Sequence, residues 1–451
     1  MVTALLPLVL WASGATLPEP LQGRWEGAVV RDNAVQALVV RIEPRDGGLF
    51  GTYDIPDLNL YGEPLEEVRR GPAGVELRFK YGRFAGSLHE DADEITASNA
   101  SWGPPVALHL KHVPDAAPEF DAEEVRFGSK DSPREGTIYR PATPGPHPGV
   151  VVVHGSGSGG REQWEYRGLG PMFARMGVAA LVYDKREEAT FEALADDAAA
   201  AVAFLARRPG IARDRVGLFG SSQGGWLAPL AASKAGGVAF LVLEKGAAVT
   251  VAEQEVHRVA YTLRAEGIAE SEVREAIAYT EAMLRAAEGK ESFETVAALG
   301  EGIRGRPWAE HVQLLSSPRD LEGWRRERYD PAPVLRRTTV PVLALFGEKD
   351  TLVPPAENLD KMRRYLADAG NRDATLVVLP GEGHNRYRGQ HLCGDRWEWP
   401  GAYWVWDRIS PREVRTIQDW LQSRLNLTRA ASRPPRPALP APPGAASPTR
   451  R

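Results

Sequence analysis

DRVGLFGSSQGGWLAPLAAS, residues 214–233, decides the fold. The apolar run of Val216, Leu218 and Phe219 ends at Gly220-Ser221-Ser222-Gln223-Gly224 and gives way to Trp226, Leu227, Leu230 and Ala231 on one helical face. The pattern predicts a strand, a sharp turn and a helix. A G-x-S-x-G at such a turn lifts one serine hydroxyl clear of the backbone, within reach of a base. A side chain on Gly220 or Gly224 would collide with the strand and helix that cross there. Ser222 is therefore the expected nucleophile. Gln223 opens the helix, so its N–H is an orphan donor facing the reaction centre.

Outward from this turn, buried strands alternate with helices over residues 120–425. EVRFGSKD and GTIYRP read as a first hairpin. The strand runs that follow are GVVVVHG (149–155), VAALVYD (178–184), VGLFG (216–220), AFLVLEKG (239–246), VPVLALFGEKD (340–350) and TLVVLP (375–380). Helices are expected near 163–176, at 191–207, after Ser222, near 355–369 and at 411–425. Near-continuous Val/Leu/Ile runs between amphipathic helices predict a mostly parallel sheet covered on both faces, an α/β fold. Residues 250–336 interrupt the rhythm with a charged, Ala/Glu/Arg-rich helical stretch, placed as a cap insertion.

A serine needs a base, and a base histidine needs a carboxylate to orient it. In an open parallel sheet both belong on loops just past strand C-termini. VPVLALFG is followed by GEKDTLVPP, offering Asp350, and TLVVLP by GEGHN, offering His384. The chain order Ser222, Asp350, His384 is the one expected of this fold. Glu348 and Glu244 are rival acids. His154, His257, His311 and His391 are rival bases, of which His391 is the serious competitor and His154 reads as a support for the glycine loop around it.

A tetrahedral intermediate needs two N–H donors. Gln223 supplies one. The second is expected from His154-Gly155-Ser156-Gly157, directly after the valine strand, with Ser156 preferred and Gly155 or Gly157 as alternatives. No Gly-Lys-Ser/Thr follows, so this loop is not a phosphate loop. Arg161 follows it and YDKR (183–186) follows the next strand, suggesting an Asp184–Arg161 pair that orders the rim. The aromatic run Tyr387, Trp397, Trp399, Tyr403, Trp404 and Trp406 either walls a pocket or packs the last loop.

The motifs HGSGSGGRE, YDKR, GSSQGG, GEKDTLVP and GEGHN, in this order, resemble those of the α/β-hydrolase superfamily. They are similar to those of bacterial esterase and dienelactone-hydrolase-like or peptidase-like members. The resemblance covers residues 120–425 and implies Ser222, Asp350 and His384 as a triad, with Gln223 in the oxyanion hole. One departure stands out. Where related chains often run YDKRG-x-G-x-S, this chain runs YDKREEAT and loses a small-residue turn.

Residues 20–113 form short alternating runs, among them RWEGAVV, QALVVRI, GLFGTYD, VELRFK, RFAGSLH and VALHLKH, separated by turn residues. They predict an antiparallel barrel or sandwich module, structural or substrate-orienting in role. More weakly, this region resembles modules that precede such hydrolase domains. MVTALLPLVLWASGA, residues 1–15, reads as a secretory signal peptide with Ser13 and Ala15 at the cleavage site, so export to a periplasm or the medium is expected. No later segment is apolar enough to span a bilayer. The Pro/Ala/Arg-rich tail, 428–451, cannot bury a core.

A net charge of −5, with no basic patch interleaved with aromatics, argues against a nucleic-acid partner. The single cysteine, Cys393, excludes an intrachain disulfide and lacks a G-x-C-x-G setting. These features predict a serine hydrolase that acts on a small acyl ester through an acyl-enzyme and needs no metal or organic cofactor. The alternatives are thioester or peptide hydrolysis by the same triad, or a non-catalytic binding protein on the same fold. About 100 β residues are too few for the large propeller that usually precedes such peptidases.

Overall fold

The computed structural model describes residues 21–384 apart from 32–33, 46, 56–59, 72–73, 81, 91–92, 100–105, 116–118, 130–131, 158, 162, 164–165 and 167, together with 410–425 and 427. The expected signal peptide, His391, Cys393, the aromatic run from Tyr387 to Trp406 and the tail lie outside the described residues. The chain divides near residue 117 into two compact units.

Among the described residues, the N-terminal unit is one nine-stranded antiparallel sheet. Its strands are β1 (Gly23–Arg31), β2 (Ala34–Arg45), β3 (Gly48–Ile55), β4 (Leu60–Pro64), β5 (Glu67–Gly71), β6 (Gly74–Phe79), β7 (Gly82–His89), β8 (Glu94–Asn99) and β9 (Val106–Val113). The order is β4-β3-β2-β1-β9-β8-β7-β6-β5, so β1 joins the two halves of a meander. The two edge strands are consecutive in sequence. Between them the Leu65 N–H donates to the Gly51 carbonyl in β3 and the Glu66 N–H to the Arg78 carbonyl in β6, both at 2.8 Å. One bent stretch of chain thus hands its pairing from one end of the sheet to the other. That is the closure of a barrel rather than the stacking of a sandwich.

Alternation fills the interior: β8 and β9 bury every second residue. Trp25, Tyr53, Phe79 and Phe84 are buried, and the Phe79 ring meets Tyr53 and Phe84 edge-on. The Trp25 indole N–H finds the Leu21 carbonyl at 2.9 Å, satisfying its one polar group.

Among the described residues, the second unit holds an eight-stranded sheet of order β10-β11-β13-β12-β14-β15-β16-β17. The antiparallel hairpin β10 (Phe120–Ser129) and β11 (Ser132–Pro141) leads into six parallel strands. These are β12 (His147–Val153), β13 (Ala179–Tyr183), β14 (Ile211–Ser221), β15 (Leu241–Glu244), β16 (Val342–Gly347) and β17 (Ala374–Leu379). β12, β13, β15 and β16 are buried throughout, as their unbroken apolar runs require.

The covering helices are α1 (Leu169–Arg175), α2 (Phe191–Leu205) and α3 (Gln223–Ala235). The first lies within the stretch expected near 163–176. The second stops at Leu205, two residues before the expected end.

Between β15 and β16 lie α4 (Val251–Ala265), α5 (Glu270–Ala287), α6 (Phe293–Ile303), α7 (Glu322–Arg326) and α8 (Ala332–Leu335). A reciprocal capping box starts this insertion. The Thr250 hydroxyl accepts from the Glu253 N–H at 3.1 Å, and the Glu253 carboxylate accepts from the Thr250 N–H at 2.9 Å. The insertion has its own apolar core around Tyr279, Met283 and Trp308. α9 (Pro355–Asp368) and α10 (Pro411–Leu425) complete the unit. No helix among the described residues is long and apolar enough to cross a membrane.

Trp25→Ala removes the largest fully buried side chain of the barrel. Its expected cost is about 3–5 kcal/mol of that unit's stability. Denaturant unfolding followed by tryptophan fluorescence and circular dichroism checks this, and an unchanged midpoint contradicts the packing described.

Candidate active site

The turn at Ser222 is held by close backbone approach. A Cβ on Gly220 would lie 2.1 Å from the Gly224 carbonyl oxygen, and one on Gly224 would lie 2.3 Å from that of Val153 in β12. Neither position admits a side chain, so α3 crosses β12 and β14 at a distance only glycine permits. Ser222 takes φ 53° and ψ −115°, a conformation that costs roughly 1–3 kcal/mol and persists only where its surroundings enforce it. Its N–H donates to the Glu244 carbonyl at 2.9 Å, tying the turn to the end of β15.

Three loops past strand C-termini converge on that serine. His384 Nε2 lies 2.9 Å from Ser222 Oγ, and His384 Nδ1 lies 2.9 Å from Asp350 Oδ2. The Asp350 side chain is fully buried, whereas His384 keeps 12% exposure. Asp350 Oδ1 accepts from the N–H groups of Leu352 at 2.9 Å and Val353 at 2.8 Å, which fixes the carboxylate toward the imidazole. The arrangement can pass a proton from a serine hydroxyl to an imidazole whose charge the carboxylate offsets.

The rivals are placed elsewhere. Glu348 accepts from the Gly381 N–H at 2.7 Å, and the Lys349 N–H donates to the Glu382 carbonyl at 2.8 Å. Together they stitch the loop of Asp350 to that of His384. Glu244 is buried beside Lys245. His154 is buried, with its ring edge-on to Tyr166 and Tyr183. His257 sits in α4, and His311 pairs with Glu266 at 2.8 Å.

The glycine loop after β12 comes up against Ser222: a Cβ on Gly155 would lie 3.3 Å from the Ser222 Cβ. The Gly155 N–H donates to the Tyr166 hydroxyl at 2.8 Å, so it is already engaged. Ser156, the next residue, is exposed. Gln223 begins α3, where helix geometry leaves its N–H without an intrahelical acceptor.

Each charged residue of the Asp184-Lys185-Arg186 run has an anchor. Asp184 accepts from the Arg161 N–H at 2.8 Å and pairs with its guanidinium, the contact expected from sequence. Arg186 makes a fork to Asp197 at 2.9 and 2.7 Å. Lys185 had no role assigned from sequence. Its Nζ donates to the Gly155 carbonyl at 2.6 Å, the Gly157 carbonyl at 3.1 Å and Gln223 Oε1 at 2.8 Å. Burial pushes its ammonium down to about 8, with the Glu327 carboxylate acting in the opposite sense. Burial also raises Glu327, partly offset by Lys185.

A second lysine was missed as well. Lys245 is fully buried, with Nζ 2.7 Å from Glu413, 3.8 Å from Glu244 and 3.9 Å from Glu382. Burial works against its charge, but Glu413, Glu244 and Glu382 outweigh it and hold it above the usual lysine range. The Ser410 hydroxyl donates to Glu382 and accepts from the Glu413 N–H. The cluster therefore ties β15 and α10 to the loop that carries His384. The signal available in sequence was a Glu-Lys pair closing an apolar strand, where buried charge demands partners.

Residues 150–392 match the family model described as Alpha/beta hydrolase family. Human acyl-coenzyme A thioesterase 1 is 27% identical over 276 residues, covering 59% of this chain and 54% of the relative. Human mitochondrial acyl-coenzyme A thioesterase 2 is 26% identical over 271 residues, covering 59% and 47%. The chain spans about half the length of these curated relatives. Among solved structures, an esterase of Pyrobaculum calidifontis is 22% identical with TM-score 0.38, covering 59% of this chain and 78% of that one. An esterase of Pyrococcus furiosus is 15% identical with TM-score 0.42, covering 69% and 95%.

Lys245→Met strands three buried carboxylates. It is expected to cost about 3–5 kcal/mol of stability. Urea unfolding of the variant checks this, and a midpoint equal to that of the parent contradicts the clamp.

Proposed function

The chain belongs to the alpha/beta hydrolase family, and from that premise we propose that it is a serine hydrolase of small carboxylic esters. The observation that carries the reading is the pair of 2.9 Å contacts joining Ser222, His384 and Asp350. In the proposed reaction Ser222 Oγ attacks the acyl carbon while His384 takes its proton. The carbonyl electron pair becomes an oxyanion facing the N–H groups of Gln223 and Ser156. Losing one such donor typically costs about 3 kcal/mol of transition-state stabilisation. Collapse breaks the acyl–alkoxy bond, and His384 gives its proton to the departing alcohol. Water, deprotonated by His384, then attacks the acyl-serine; the acyl–Oγ bond breaks, His384 returns its proton to Ser222 Oγ, and the acid leaves. Asp350 stays ionised and holds the imidazole in place.

Thioester cleavage is the second reading, favoured by the two human relatives, which are acyl-coenzyme A thioesterases. The same steps serve, with a thiol leaving in place of an alcohol.

Matched esters, thioesters and amides of several acyl lengths separate these readings. Esters are expected to turn over fastest. Ser222→Ala is expected to lower ester turnover by at least about 10⁴-fold. A panel in which thioesters lead replaces the ester assignment, and Ser222→Ala that keeps its turnover removes the nucleophile.

The proposal includes export, supported by the apolar stretch 1–15. N-terminal sequencing of the protein from its native envelope or medium is expected to start near Thr16. An intact Met1 in a cytoplasmic fraction contradicts export.

A further inference from the structure

We propose that Lys185 is a positioning residue that sets the direction of the oxyanion-binding N–H groups, an inference that rests on the serine hydrolase reading above. An ammonium has three N–H donors, and Lys185 meets three acceptors: the Gly155 carbonyl at 2.6 Å, the Gly157 carbonyl at 3.1 Å and Gln223 Oε1 at 2.8 Å. Its backbone N–H also donates to the Gly159 carbonyl at 2.6 Å. One residue therefore grips the glycine loop at three carbonyls.

The Gly155 carbonyl and the Ser156 N–H belong to one planar trans peptide and point in opposite directions. Pulling that carbonyl toward Lys185 turns the Ser156 N–H the other way. Glycine permits the reverse rotation, because Gly155 and Gly157 impose little backbone restraint and Gly157 already sits at φ +85°. Without the ammonium, a flipped peptide would present a carbonyl oxygen where the donor is needed. The grip on Gln223 Oε1 restrains the residue that supplies the other donor. Both proposed oxyanion donors thus depend on one cation, which itself has no N–H left for substrate.

The grip needs the charged form. A neutral amine offers two N–H groups and a lone pair to three oxygens, so one carbonyl is released. Among the described residues, the titratable groups facing Lys185 are His154, across Gly159 on the glycine loop, and Glu327, at the end of α7. Burial places loss of the Lys185 proton at about 8, so the Lys185 contribution to activity is expected to be intact below that value and lost as pH rises through it.

The test is steady-state kinetics on a chromogenic acetate ester, from pH 6 to 10, for the parent enzyme, Lys185→Met, Lys185→Arg and Ser222→Ala. Lys185→Met is expected to lower kcat by about 10- to 100-fold with KM within about twofold, since only the transition state carries the oxyanion. Lys185→Arg keeps its charge at every pH. It is expected to recover part of kcat and to lack the alkaline limb.

A Lys185→Met enzyme with unchanged kcat beside an inactive Ser222→Ala overturns this inference and leaves the hydrolase reading standing. A rise in KM with unchanged kcat overturns it in favour of substrate binding. If Lys185→Met does not fold, the parent and Lys185→Arg profiles decide, and the same alkaline limb in both overturns the inference. A parent enzyme without turnover on any ester or thioester overturns both.

Discussion

The structure around Ser222 depends on one steric constraint: α3 passes β12 so closely that Gly224 has no room for a Cβ beside the Val153 carbonyl. That approach forces the chain to reverse within a single residue and puts Ser222 at φ 53°. It also leaves the first N–H of α3 at the C-terminal edge of the sheet, where the loops of Asp350 and His384 arrive. A looser crossing would relax the turn and lower the hydroxyl out of reach of the imidazole. The buried core under α2 and α3 resists that loosening, and its packing sustains the local strain.

Fold and site were legible to different depths for physical reasons. β12, β13, β15 and β16 are buried on both faces, so β12 and β16 stand out as unbroken apolar runs. Ser222, Asp350 and His384 are readable one at a time because each follows such a run. The 2.9 Å contacts among them belong to the folded chain alone. Closure of the N-terminal sheet was not legible, because the handover at Leu65 and Glu66 is made by backbone groups that no side-chain pattern marks.

The two lysines were hidden for a related reason. Lys185 acts on the carbonyls of Gly155 and Gly157, about 30 residues upstream, and a carbonyl has no letter of its own in a sequence. Lys245 and Glu413 stand 168 residues apart and meet only once α10 has docked. A charged residue at the end of a buried strand usually reads as a solvated edge. Here the same position holds one cation against the glycine loop and another among three carboxylates. Supports of this kind place the loops that place the site, which is why a motif names the reacting groups before it names what holds them.

Ser222 is proposed as a nucleophile activated by His384 and Asp350. Reaction of the full chain with a fluorophosphonate, followed by peptide mapping on a mass spectrometer, tests it most directly. A single adduct is expected on Ser222, absent from the Ser222→Ala chain and strongly slowed in His384→Ala. An adduct on Ser221 or another residue, or undiminished labelling of Ser222→Ala, would contradict it.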